Sequence, residues 1–248
     1  IRDSVTLVSA SGGVGKSTIA LIIAYVTATR GIKTALVEGD LQFGDMGFWL
    51  GLDVKLSSLA QGTSCIPVPI SARLDLFKAP VLPEVAEEIS EAVARLANDI
   101  RDNYDIVIAD TGQFWSGLTG ELLCNSSLVL IVMDQRRASA YGAIKALELC
   151  QRLGIPMARI AFVLNRASGM SHSEIERIED SLGCEELFRL ADGKTTIEAL
   201  VGMGRIEELV EEGPAPIPDI ELLLTKLLPR TGIEFPAIER KKTRRFFT

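Results

Sequence analysis

Ser11-Gly12-Gly13-Val14-Gly15-Lys16-Ser17-Thr18 follows the apolar run Val5-Thr6-Leu7-Val8. The pattern G-x-x-x-x-G-K-[ST] is met except that Ala10 stands at the first glycine. Glycines let backbone N–H groups turn toward phosphate oxygens without a Cβ clash. Lys16 is suited to neutralise β and γ phosphates, and the Ser17 hydroxyl to sit on Mg²⁺. A helix from Ser17 to about Ala28 is predicted to point its N-terminus at the same anion.

Carboxylates complete this chemistry. Asp110 emerges after Ile106-Val107-Ile108-Ala109, at the strand end where open α/β sheets bind ligands, and is expected on the Mg²⁺ side with Ser17. Val37-Glu38-Gly39-Asp40 ends a second such run. Asp40 is placed to orient or activate a water for attack on a γ-phosphate, with Lys16 stabilising the charge, and to face the metal. The alternative for Asp40 and Asp45 is that they only cap the following turn.

These residues need a frame that brings strand ends together. Strand-like runs alternate with helical ones along the chain: strands at 5–9, 33–38, 74–78, 105–109, 127–133, 159–164 and weakly 187–190, helices at 83–103, 138–153, 173–182, 195–203 and 218–228. Residues 106–109 and 128–133 are continuously apolar, the mark of strands covered on both faces. The predicted fold is α/β, a mostly parallel, doubly wound sheet with helices on both faces, over residues 1–228. Residues 229–248 read as a basic tail.

Composition narrows the classes. The 248 residues are 47% apolar, enough for one large α/β core, and no run is long enough to cross a membrane. Residue 1 is Ile and no secretory leader follows, so the chain is expected to start at a domain boundary. Four scattered cysteines read as buried thiols of a reducing cytoplasm, and the single His172 leaves no histidine metal site. A net charge of −7 weighs against nucleic acid as a partner. The stretch Arg240-Lys241-Lys242-Thr243-Arg244-Arg245-Phe246-Phe247 is the exception, readable as a solvated tail or as a contact for an anionic membrane or a partner protein.

The loop at 11–18 resembles the deviant Walker A motif, Lys-Gly-Gly-x-Gly-Lys-[Ser/Thr], of the MinD/ParA class of P-loop ATPases. Asp40-Leu41-Gln42-Phe43-Gly44-Asp45 and Leu74 through Glu84 are similar to the CpaE/TadZ-type branch that serves Flp (Tad) pilus assembly. The resemblance implies binding of ATP and Mg²⁺ and slow hydrolysis to ADP and phosphate. It also implies an ATP-dependent homodimer and pilus-assembly or secretion-machine partners, with the protein cytoplasmic at a pole or the inner-membrane surface. It carries nucleotide contacts to Ser11, Gly12, Gly13, Val14, Gly15, Lys16, Ser17 and Thr18. Asn165 matches the class's adenine-reading Asn, followed by Arg166, and Leu190 begins the run that flanks the base. The alternative for Asn165 is an Asn that ends a strand before a turn. Three positions depart from the class: Ser11 replaces a lysine that reaches the partner's phosphates, Glu38 stands where Asp is usual, and no Pro follows Asp110-Thr111-Gly112. The resemblance also leaves room for a ParA-type DNA-segregation ATPase or a non-hydrolysing, ATP-bound scaffold.

Overall fold

The computed structural model describes residues 4–52, 67–80 and 82–236. The elements in order are β1 (Ser4–Val8), α1 (Lys16–Thr29), β2 (Thr34–Gly39), α2 (Met46–Trp49), β3 (Val68–Ser71), β4 (Leu74–Phe77), α3 (Ala86–Asp99), β5 (Ile106–Thr111) and α4 (Gly117–Cys124). They continue with β6 (Leu128–Met133), α5 (Arg137–Arg152), β7 (Ile160–Leu164), α6 (His172–Leu182), β8 (Leu187–Arg189), α7 (Lys194–Gly202), α8 (Ile206–Glu212) and α9 (Ile217–Leu227). The sheet order is β3-β4-β2-β5-β1-β6-β7-β8, parallel throughout except for β3, which runs antiparallel to β4 at the edge.

Side-chain alternation gives one sheet a core on each face, in three hydrophobic clusters among the described residues. Leu128, Leu130 and Val132 of β6 face the layer of α1, α8 and α9. Val129, Ile131 and Met133 face α5 and α6. Ala35, Val37, Val107 and Ala109 of β2 and β5 pack under α3 and α4. α1 is buried nearly all round, as a helix lying against the centre of a sheet must be. Leu228 and Phe235, past the last helix, also belong to the core that holds α1.

Local signals fix several ends. Gly31 follows α1 with φ +84°, the left-handed position past a helix C-terminus. Ser171 caps α6 in a reciprocal capping box with Glu174. The predicted helix at 83–103 is α3 with a 3₁₀ turn at each end, Pro83–Val85 and Ile100–Asn103. The thiols differ from expectation: Cys150 is buried, but Cys184 is half-buried and Cys124 exposed, because it ends the short α4 at the surface. Cys65 and the basic run 240–247 lie outside the described residues. No described helix is long and apolar enough to cross a membrane.

Candidate functional site

β1 lies between β5 and β6, so the chain leaves its C-terminal end at the point where the sheet order reverses. There the loop at 10–15 turns into α1. Gly13 (φ +71°) and Gly15 (φ +85°) hold left-handed backbone, and buried Val14 anchors the loop between them. A Cβ on Gly12 would stand 2.9 Å from Gln113 Nε2, and one on Gly15 would collide with Asn165 Nδ2. No side chain caps the N-terminus of α1 and no acid occupies its first turn. Its N–H groups, the Lys16 ammonium and the missing Cβ atoms form a cradle fitted to phosphate.

Lys16 and Asp110 are both buried and form an ion pair, and Lys16 Nζ also donates to the Thr111 carbonyl. Burial pushes the Asp110 carboxyl up, against the pull of the Lys16 ammonium and a hydrogen bond from Ser17. Asp40 stands just past β2, half-buried, with Oδ1 accepting from Phe43 N at 3.0 Å. Its Cγ would lie 3.4 Å from a Cβ on Gly112. The structure thus brings Lys16, Ser17, Asp40 and Asp110 to one place, at the ends of three adjacent strands.

The donor set offered to a metal is a hydroxyl and carboxylates, all hard oxygens suited to Mg²⁺. Among the described residues no cluster of three Asp, Glu, His or Cys side chains could hold an ion alone. A phosphate-bound Mg²⁺ needs only one or two protein oxygens, and the Ser17 hydroxyl and Asp110 carboxylate are the groups here that would fit it.

Glu38 does different work from Asp40. It is 1% exposed, and its two oxygens accept from Met46 N and Ala79 N, each at 2.8 Å. Desolvation pushes its pKa up to about 7, against those two N–H donors and Lys78. The carboxylate ties the loop after β2 to the end of β4.

On the other side of the loop, Asn165 Nδ2 donates to Val14 O at 2.8 Å, and its Oδ1 accepts from Arg166 N at 2.9 Å. Arg166 Nη1 donates to Gly13 O at 3.1 Å. Beside them opens a cleft of about 270 Å³ whose lining includes Thr18, Ile22, Trp49, Asn165, Asp192 and Lys194. Arg166 (φ +57°) and Lys194 (φ +48°) are the non-glycine residues with positive φ among those described, and both line this cleft. Strain of that kind concentrates at ligand sites. Leu190 does not line the cleft: it is fully buried, with its N–H on Leu164 O and its carbonyl on Ala167 N.

Residues 5–190 match the CobQ/CobB/MinD/ParA nucleotide binding domain. The chain belongs to this family. An uncharacterised ATP-binding protein of Methanocaldococcus jannaschii is 25% identical over 215 residues, 78% of this chain and 73% of that protein. The tyrosine-protein kinase YwqD of Bacillus subtilis is 32% identical over 160 residues, 60% of this chain and 68% of the kinase. Among solved structures, a ParA family ATPase of Chlorobium tepidum superposes with a TM-score of 0.76 at 24% identity, covering 92% of this chain and all of that one. The septum site-determining protein MinD of Pyrococcus horikoshii, complexed with Mg-ADP, superposes with a TM-score of 0.72 at 17% identity, covering 92% of this chain and 98% of that one. The family and the sheet order agree that the cradle at 11–18 belongs to a nucleotide-binding P-loop domain.

Several site residues escaped the sequence reading. Asp134, buried at the end of β6, holds Arg136, which reaches the loop from a fourth strand. The signal was available, because Asp134 ends an apolar strand as Asp110 does. Gln113 and Trp49 carry no local signal; only the fold brings them to the loop and the cleft.

Proposed function

We propose that this protein binds Mg-ATP and hydrolyses it slowly to ADP and phosphate, and that it pairs with a second copy when ATP is bound. The convergence of Lys16, Ser17, Asp40 and Asp110 at one strand-end cluster carries this reading. Backbone N–H groups of 12–18 and Lys16 bind the phosphate chain, while Ser17 and Asp110 would hold Mg²⁺, which would supply positive charge to the phosphates. Asp40 orients the water. The water oxygen bonds to the γ-phosphorus as the bond to the β–γ bridging oxygen breaks, the bridging oxygen leaves on ADP, and the water's protons end on phosphate and solvent. Asn165 and the 192–194 loop face the base.

Pairing is supported by Phe43 and Phe114, which follow β2 and β5 at the rim of the site and are 77% and 83% exposed. Such aromatics on loops that border the γ-phosphate end suit a partner surface that forms with ATP. Within the family, the runs 40–45 and 74–84 favour the CpaE/TadZ type, a spatial marker for a pilus assembly or secretion machine in the cytoplasm at a pole or the inner membrane.

Calorimetry with ATP and ADP, with and without Mg²⁺, phosphate release, and sedimentation with each nucleotide test the biochemical reading. Mg²⁺-dependent ATP binding, phosphate release and an ATP-specific dimer are expected. Absence of nucleotide binding overturns it. Capture of secretion-ATPase components from the source organism tests the pilus role, and salt-sensitive retardation of duplex DNA would replace it with a segregation role.

A further inference from the structure

Arg136 is an exposed side chain held in one place beside the phosphate loop. It stands between β6 and α5, and its side chain is 57% exposed. Nε donates to both oxygens of Asp134, at 3.0 and 2.8 Å, and Nη2 donates to the Gly12 carbonyl at 2.9 Å. Asp134 is itself fixed: its N–H donates to Ser139 Oγ at 3.1 Å, and its Oδ1 also accepts from Arg136 N at 3.1 Å. A surface arginine ordinarily keeps its rotamer freedom, and ordering it costs entropy. Here a buried carboxylate orders it with its charge against the loop. The remaining N–H bonds of the guanidinium have no protein partner among the described residues.

The position relative to the chemistry is specific. Gly12 borders Gln113, and the neighbouring Gly112 borders Asp40. Arg136 therefore meets the loop at the end shared with the water-orienting acid. Arg166, by contrast, holds Gly13 from the side of the base cleft. Ser11 carries no charge, and Lys16 is the cation within the loop itself. α5, which begins at the next residue, packs on the loop closely enough that a Cβ on Gly142 would stand 3.3 Å from Ser11 Oγ.

We propose that Arg136 is a catalytic residue of the ATPase and that Asp134 is its positioning residue. This rests on the hydrolysis proposed above. When ATP is bound, the guanidinium turns from the Gly12 carbonyl to the γ-phosphate oxygens of its own chain and stabilises the charge that moves there as the bond to the bridging oxygen breaks. It transfers no proton, because a guanidinium stays charged throughout. With Nε–H held by Asp134, the four remaining donors of the planar fork match the equatorial phosphoryl oxygens better than an ammonium does.

Arg136→Ala, Arg136→Lys and wild type are compared for phosphate release at saturating Mg-ATP and for affinity toward Mg-ADP with and without aluminium fluoride, which mimics the transferring phosphoryl group. Arg136→Ala is expected to lose turnover by about a hundredfold or more and to lose the tightening by aluminium fluoride, with ADP affinity unchanged. Arg136→Lys should recover part of both. Equal weakening of ADP and ATP with turnover unchanged at saturation would make Arg136 only a pin for the loop and overturn the proposal. So would an undiminished response to aluminium fluoride. Wild-type protein that binds no nucleotide overturns the ATPase reading itself, a result separate from either.

Discussion

Lys16 Nζ pairs with Asp110 Oδ1, joining the cation of the phosphate loop to the acid at the end of β5. Both groups are buried, so each keeps the other from standing as an uncompensated charge. On the proposed function, Lys16 would turn to phosphate and Asp110 to Mg²⁺, so each member of the pair has a second partner of opposite charge.

Removing one member of the pair should affect folding as well as binding. Lys16→Ala leaves Asp110 buried without its cation, which costs about 3–5 kcal/mol of stability. ATP affinity should fall about tenfold or more, since a charge-assisted phosphate contact is lost. Lys16→Ala/Asp110→Asn should regain much of the stability and none of the affinity. Urea unfolding and calorimetry separate the two effects. An additive double variant would show that the pair is not coupled.

The two acids of Glu38-Gly39-Asp40 should fail in different ways. Asp40→Ala removes a half-buried carboxylate at the reaction end, so ATP binding should persist while phosphate release is lost. Glu38→Ala strands two buried N–H groups, Met46 and Ala79, and should cost about 2–4 kcal/mol of stability. Its effect on turnover comes through the loop that carries Asp40. If Glu38→Ala is as stable as wild type by urea unfolding, the anchoring role is wrong.

Most of the frame was legible because its signals are local. The apolar runs at 106–109 and 128–133 and the loop at 11–18 each carry their structure in a few neighbouring residues. What escaped depends on tertiary contact or on very short elements. β3 is four residues with Pro69 inside, an edge strand that only β4 defines. α2 is four residues, α4 has two glycines, and α8 is seven residues. At the site, the order of types along the chain pointed to Lys16, Ser17, Asp40 and Asp110. Arg136 escaped because its role depends on a contact with Gly12, which stands 124 positions away.

The cysteines give a test of the packing. Burial pushes the Cys150 thiol up to about 11. A raised thiol pKa means that the folded state keeps its proton where the unfolded chain loses it. That contribution is therefore full below about pH 9 and lost as pH rises from there through 11. Cys150→Ala should remove this part of the alkaline fall in stability, read as the difference in unfolding midpoint from wild type across pH 8 to 11. In the folded protein at pH 8, mass mapping after iodoacetamide should show Cys124 modified and Cys150 intact. Modification of Cys150 at the same rate would contradict the packing of α5 on β6 and β7.

Ser11 ties the catalytic proposals together. It is half-buried, with its hydroxyl near Gly142 of α5, and it precedes the glycine whose carbonyl holds Arg136. Ser11→Lys places a second cation at the same end of the loop. Charge supplied there acts on the transferred phosphoryl group, so turnover should rise in wild type and recover in part in Arg136→Ala. ADP affinity should stay unchanged in both backgrounds, because the gain belongs to the γ-phosphate. If the lysine acts across two copies, sedimentation will also show a tighter dimer with ATP and no change with ADP. If it acts within one chain, turnover rises without that shift. A Ser11→Lys protein that is silent in phosphate release and in sedimentation would show that residue 11 does not face the phosphoryl group in either chain. The non-hydrolysing scaffold would then be the better account of this P-loop.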